Sequence, residues 1–361
     1  MIMNYTIYGK IVLGDKVIED GAVAVENGII KYCGKREDAP VIGECTDYKD
    51  SLIVPGFIDV HCHAGGERWC YEDPVAVAEY HLSHGTTSMC HTLYRDMSID
   101  DTVKAIADIR AAMKICKNII GVHLEGPYLN PKYGSMVQDT EVIADPADYM
   151  KLFEDDTVVH VSFAPEVEGT DVLLKVLKEK GIVPAIGHSV ASYEQIKKVV
   201  DGGVMNVTHL FDATGASIEP TRWDGTIEVD FNAACLLCDG ITYEIICDKM
   251  GIHVRPEMLR LADKTVGIDN LVGITDACTG SEDDTDVNIV DGELTGSKLT
   301  MDKVFKNFVN VGFSLCDAVK FTSTNAARLM GLSDKGSLKV GMSADIAVLD
   351  DDYEILKVYK A

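Results

Sequence analysis

The chain has 361 residues, 47% hydrophobic and 25% charged, which is ordinary globular composition with no room for a long disordered tail. Its 58 acidic and 33 basic residues give a formal charge of -25 with no basic block. That balance argues against nucleic acid and anionic membrane as partners, and an anionic small molecule would need a local basic pocket. The sequence shows no leader-like N-terminus and no run near the roughly 18–20 apolar residues of a membrane span. Its 11 cysteines lack the spacing of a disulfide framework, so a cytoplasmic protein with reduced thiols is expected, and Cys235-Leu-Leu-Cys238 reads as packing.

Residues 1–51 alternate short β-rich runs with turn signals, among them Gly14-Asp15 and the hairpin dipeptide Asn27-Gly28. The same strand character returns in 341–349 and 354–359, which predicts a small β-sandwich domain built from 1–51 and 337–361. Between them, residues 52–336 alternate β-rich runs with stretches of helical period. The runs fall at 52–60, 86–93, 119–125, 158–164, 183–188, 204–210, 243–248 and 270–276. Ser98–Cys116, Thr170–Lys180 and Ser192–Asp201 are among the helices, and Lys303–Val311 and Ser314–Met330 close the unit. Eight strands with crossovers predict an α/β fold of the (β/α)8 TIM-like type, whose sites lie at the strands' C-terminal ends.

Ligand-type residues stand at those ends. Glu125 ends an apolar run and is followed by Gly126-Pro127, which can neither continue a strand nor open a helix at once. His188, His209 and Asp276 end three later runs in the same way. The first run ends in His61-Cys62-His63, whose two imidazoles share one strand face. Together these predict one metal site of imidazoles and carboxylates. The set suits zinc first, with iron, manganese or cobalt as alternatives. The remaining histidines, His81, His84, His91, His123 and His160, read as packing or solvent-facing residues, and His253 as either a surface-loop residue or a substrate contact.

With these motifs in view the chain resembles the amidohydrolase superfamily and, within it, the N-acetylglucosamine-6-phosphate deacetylases. The resemblance is carried by PGFIDVHCHAGG at 55–66, HLEGPYLNP at 123–131, APE at 164–166, GHSVA at 187–191, THLFDA at 208–213, ITDA at 274–277 and GSLKVGMSADIAVLD at 336–350. It implies a metal-dependent deacetylase of N-acetylglucosamine 6-phosphate, acting as a homodimer. Glu125, His188 and His209 would hold the main ion, His61 and His63 a second ion bridged by Glu125, and Asp276 would be the catalytic acid/base. Asp212, Ala213, Arg222, His253 and Met136 match substrate-binding positions, Arg222 acting in the neighbouring subunit's site. Three of these depart from the family pattern: Met136 stands near where the family has a His, Asp212 replaces a neutral amide, and the loop from Asp248 to His253 is longer. A related amidohydrolase acting on another N-acyl sugar or a cyclic amide is the alternative, and a non-catalytic binding barrel a third.

Overall fold

The computed structural model describes residues 4–134, 142–219, 221–280, 285–290 and 293–361. All eight barrel strands form near their expected places: Phe57–Cys62, Thr86–Tyr94, Ile119–Glu125, Val158–Phe163, Val183–Ile186, Asn206–Val207, Thr242–Ile246 and Leu271–Ile274. They pair in that order in one parallel sheet. The eighth strand meets the first through individual hydrogen bonds. Asp276 N–H donates to the His61 carbonyl at 2.9 Å, and the Thr275 hydroxyl donates to Asp59 at 2.6 Å. Just beyond, His63 and Ala64 both donate to the carbonyl of Ala277.

The crossovers follow from local sequence. Ser98 caps the helix Ile99–Ala112 by accepting from Asp101 N–H, and Ser192 with Gln195 forms a reciprocal capping box ahead of Tyr193–Gly202. Thr170–Lys180 stops at Gly181, whose φ of 70° suits the left-handed turn that ends a helix. Leu173, Leu174 and Leu177 on that helix are buried in the barrel's outer core. The closing segment at 314–330 is a helix Leu315–Val319, a wider turn Lys320–Thr324 and a helix Asn325–Leu329, rather than one regular helix.

Both chain ends meet in the small unit, whose six strands form one continuous mixed sheet that folds over on itself, with the Tyr5 and Tyr359 rings stacked at 4.5 Å and Ile30 N–H donating to the Met342 carbonyl. It is continuous through the strand Glu44–Pro55, which pairs in parallel with Tyr5–Val12 on one side and antiparallel with Ile346–Leu349 on the other. Val17–Glu26 and Ile29–Lys35 extend the sheet beyond Tyr5–Val12, and Ile355–Tyr359 forms the opposite edge. Ile7, Val23, Val25, Ile53, Ile346 and Val348 form a core separate from that of the barrel. The run read as one strand over 52–60 therefore divides at Gly56. Leu52–Pro55 belong to the small sheet, and the barrel begins at Phe57. Buried Asp345 ties the last residues down, accepting from Lys335 Nζ at 2.5 Å, Lys360 Nζ at 3.1 Å and Ala361 N–H at 3.0 Å.

Candidate metal centre

Parallel strands covered on both faces read as apolar runs. A polar residue inside one of them must therefore find partners within the barrel. The polar residues collect at the C-terminal ends. His188, His209 and Asp276 leave their strands with φ of 45°, 28° and 46°, in the left-handed region that non-glycine residues enter rarely. Such conformations cost on the order of 1–3 kcal/mol each and persist where the surroundings enforce them. Here the backbone of Asp276 is held on both sides: its N–H donates to His61, and its carbonyl accepts from Ser297 N–H at 2.9 Å.

The six residues form one cluster. Glu125 Oε1 lies 2.8 Å from His188 Nε2 and 2.9 Å from His209 Nε2, while Oε2 lies 3.2 Å from His63 Nε2. Asp276 Oδ1 is 3.2 Å from His63 Nε2 and 3.4 Å from His61 Nε2. Two imidazole pairs approach ring nitrogen to ring nitrogen: His188 and His209 at 3.0 Å, His61 and His63 at 3.3 Å. If both nitrogens of such a pair carried protons, the hydrogens would collide. Lone pairs converging on a shared cation fit the spacing, so the donor set suits divalent metal. Glu125, His188 and His209 make one group within ligand reach, and His61, His63 and Glu125 a second.

The electrostatics agree. Burial pushes the Glu125 and Asp276 carboxyls up, but the facing imidazoles overcome it and hold Glu125 well below, and Asp276 below, the usual carboxylate range. Burial likewise disfavours charge on His61, His63 and His209, yet the carboxylates raise all three, His209 to about 9. Positive charge belongs at the centre of this cluster.

The model of the amidohydrolase family matches residues 52–361. The chain belongs to the amidohydrolase family. It is 27% identical over 378 residues to the Bacillus subtilis N-acetylglucosamine-6-phosphate deacetylase, covering 96% of this chain and 93% of that protein. The Danio rerio N-acetylglucosamine-6-phosphate deacetylase is 30% identical, with 87% of this chain and 84% of that protein covered. Among solved structures, a Mycobacterium smegmatis N-acetyl-D-glucosamine-6-phosphate deacetylase variant in complex with N-acetyl-D-glucosamine-6-phosphate superposes with a TM-score of 0.86 at 26% identity. The match covers 99% of this chain and 98% of that one. As an amidohydrolase the chain is a metal-dependent hydrolase, and among the described residues no helix is long and apolar enough to cross a membrane.

Around the amidohydrolase centre the substrate-side residues are less uniform. His253 is buried, not a surface-loop residue. The longer loop folds around the Asp248 carboxylate, which accepts from the N–H groups of Met250, Ile252 and His253 and contacts His253 Nδ1 at 3.1 Å. His253 Nε2 is buried with no hydrogen-bond partner, and the residue borders a cavity of about 330 Å³ with Phe211, Asn232, Leu236, Val254 and Met258. Asp212 lies near enough to His209 and His253 to favour their charged forms. Ala213 takes a φ of 48° in the same turn. Arg222 is exposed and forks onto Glu228 of its own chain, Nε to Oε1 at 3.1 Å and Nη2 to Oε2 at 2.8 Å, apart from the metal cluster. Met136 lies outside the described residues.

A supporting layer escaped the sequence reading. Glu244, on the seventh strand, contacts His61 Nδ1, and the Tyr133 carbonyl lies 3.2 Å from His188 Nδ1. Glu166 of the APE motif accepts from Ser189 Oγ at 2.6 Å, Val190 N–H and Asn130 Nδ2, which fixes the loop after His188. His123 and His160, read as packing, are buried and stacked at 4.1 Å beneath the cluster, and burial keeps both inclined to the neutral form. Cys235 and Cys238 are buried free thiols, as packing residues should be. The signal for Glu244 was present in Thr242-Tyr-Glu-Ile-Ile: a lone acid inside an apolar strand.

Proposed function

We propose that this chain hydrolyses the acetamide of N-acetylglucosamine 6-phosphate to glucosamine 6-phosphate and acetate. The observation that carries the reading is Glu125 within 2.9 Å of two imidazoles, with Asp276 against the His61–His63 pair, at one end of an amidohydrolase barrel. Glu125, His188 and His209 would hold the main ion, and His61 and His63, with Glu125 shared, a second. Zinc suits these donors first. A divalent ion bound there supplies a Lewis acid for the acetyl carbonyl and brings the pKa of a bound water to about 7. Asp276, held ionised by its imidazole neighbours, takes the attacking water's proton as general base. As general acid it then delivers that proton to the departing sugar amine. The buried His253, held through Nδ1 by Asp248, would serve as a substrate contact. Homodimers in the cytoplasm complete the reading, with Arg222 serving a neighbouring site.

A second reading is favoured by Asp212. Among the described residues no ion pair joins Asp212 to a cation, and Arg222 is engaged with Glu228. A related amidohydrolase taking an N-acyl sugar or cyclic amide without phosphate would meet no charge conflict there. Rates of amine release from a panel of N-acetylated hexosamines, each with and without the 6-phosphate, separate the two. Preference for the phosphorylated glucosamine compound supports the first reading, and preference for an unphosphorylated compound supports the second. Metal-loaded protein that releases acetate from none of them contradicts both.

A further inference from the structure

Glu244 is a fully buried carboxylate at the middle of an apolar strand, with no lysine or arginine paired to it among the described residues. An ionised carboxylate in such a place is strongly disfavoured unless its partners compensate. Its partners are specific. Oε2 is 3.1 Å from His61 Nδ1, and Oε1 accepts from Asn206 Nδ2 at 2.6 Å, with His160 Nε2 at 3.8 Å. Asn206 is fixed in turn, its Oδ1 accepting from Thr242 Oγ1 at 2.9 Å. The amide therefore presents its NH2 to Glu244, and the second carboxylate oxygen is left for the imidazole.

We propose that Glu244 is a positioning residue that makes His61 a metal ligand. With Nδ1–H donated to Glu244, the proton of a neutral His61 ring stands on the far side from the cluster. The Nε2 lone pair then faces Glu125 and Asp276, 3.5 and 3.4 Å away. Two carboxylates facing a lone pair repel it, and a cation between them removes that repulsion. Glu244 thus selects the tautomer, fixes the ring and raises its basicity, in the manner of carboxylates behind metal-bound histidines. Its only cluster hydrogen bond among the described residues goes to His61. His188 has the Tyr133 carbonyl behind it, and the Nδ1 atoms of His63 and His209 have no hydrogen-bond partner. The inference rests on the binuclear reading of the site.

The test is a titration of metal-free wild-type and Glu244→Gln proteins with Zn²⁺ in a competing chelator, without substrate. Gln is isosteric and keeps an acceptor for Asn206. The second equivalent should bind about 10–100-fold more weakly in the variant. The first equivalent, on Glu125, His188 and His209, should change less than about threefold. In a His61→Gln background, adding Glu244→Gln should change metal binding no further, because the carboxylate acts through that ring. Equal weakening of both equivalents would mark Glu244 as a general structural support and overturn the proposal. Two wild-type-like equivalents in the variant, or a wild type that never takes a second, would also overturn it. Acetate release by the wild type is measured separately, so failure of the deacetylase reading shows independently of this result.

Discussion

Replacing Asp276 with Asn isolates the proton-transfer role from the architecture. The two residues are isosteric, and Asn tolerates the left-handed φ of 46° as readily as Asp. The backbone hydrogen bonds from Asp276 N–H to His61 and from Ser297 N–H to Asp276 do not involve the side chain. Glu125, His188 and His209 are untouched, so the main ion should be retained. What disappears is the carboxylate beside the attacking water. A positioned acid/base is worth about 10²–10⁴ in rate, so kcat should fall by that factor, or about 3–5 kcal/mol of activation free energy. KM for the phosphosugar should move by less than about threefold, since Asp276 contacts the reacting atoms rather than the sugar's far end. The assay is initial-rate amine release at saturating substrate, with metal content measured on the same samples. A variant with unchanged metal content and kcat within about threefold of wild type would remove Asp276 from the mechanism.

Substituting His61→Gln together with His63→Asn should take bound metal from two equivalents towards one by elemental analysis. A wild type saturated at one equivalent in excess metal would reject the binuclear assignment. Arg222→Ala should raise KM for the phosphorylated sugar about 10–100-fold, the worth of a hydrogen bond to a charged group, and leave the unphosphorylated sugar nearly unchanged. Asp212→Asn should lower KM for the phosphorylated compound, because two anions 4 Å apart at an effective dielectric of ~20 repel by about 4 kcal/mol. Equal effects of Arg222→Ala on both sugars would count against phosphate recognition. In chelator-treated protein the raised pKa of His209, about 9 against 6.5 unfolded, stabilises the fold fully below pH 6.5. That contribution is lost as pH rises towards 9, so thermal melts of the metal-free form should fall across that window. A metal-free melting temperature independent of pH there would refute it.

The cluster was legible because barrel geometry gives each of these residues its own place at the end of a run in the sequence. An apolar run ends in Glu125, His188, His209 or Asp276, and after Glu125 the Gly126-Pro127 pair stops the strand. His61 and His63 carry the period of two that puts both rings on one face. Partners chosen by three-dimensional proximity were not legible. Glu244 meets His61 across 183 residues, and the pair forms only because the first and seventh strands share the barrel interior. The burial of His253 depends on the Asp248 carboxylate gathering three amides of its own loop, which residue spacing does not disclose. The division at Gly56 was hidden because Leu52–Pro55 and Phe57–Cys62 are both buried and extended and the sequence does not show which sheet receives each.

The strand Glu44–Pro55 has a consequence for how the protein is made. Its partner Ile346–Leu349 leaves the ribosome roughly 300 residues later, about 15–60 s at synthesis rates of about 5–20 residues per second. Through that interval one edge of Glu44–Pro55 offers unpaired backbone groups, and Ile7, Val23, Val25 and Ile53 lack the cover that Leu338, Ala344, Ile346 and Val348 later supply. The barrel strands are synthesised during the same interval, with every ladder partner already emerged or next in line. Nascent chains stalled before residue 346 would therefore carry a completed sequence for the eight barrel strands and an open, chaperone-accessible edge at the N-terminus. The stretch 346–359 closes that edge once it has emerged.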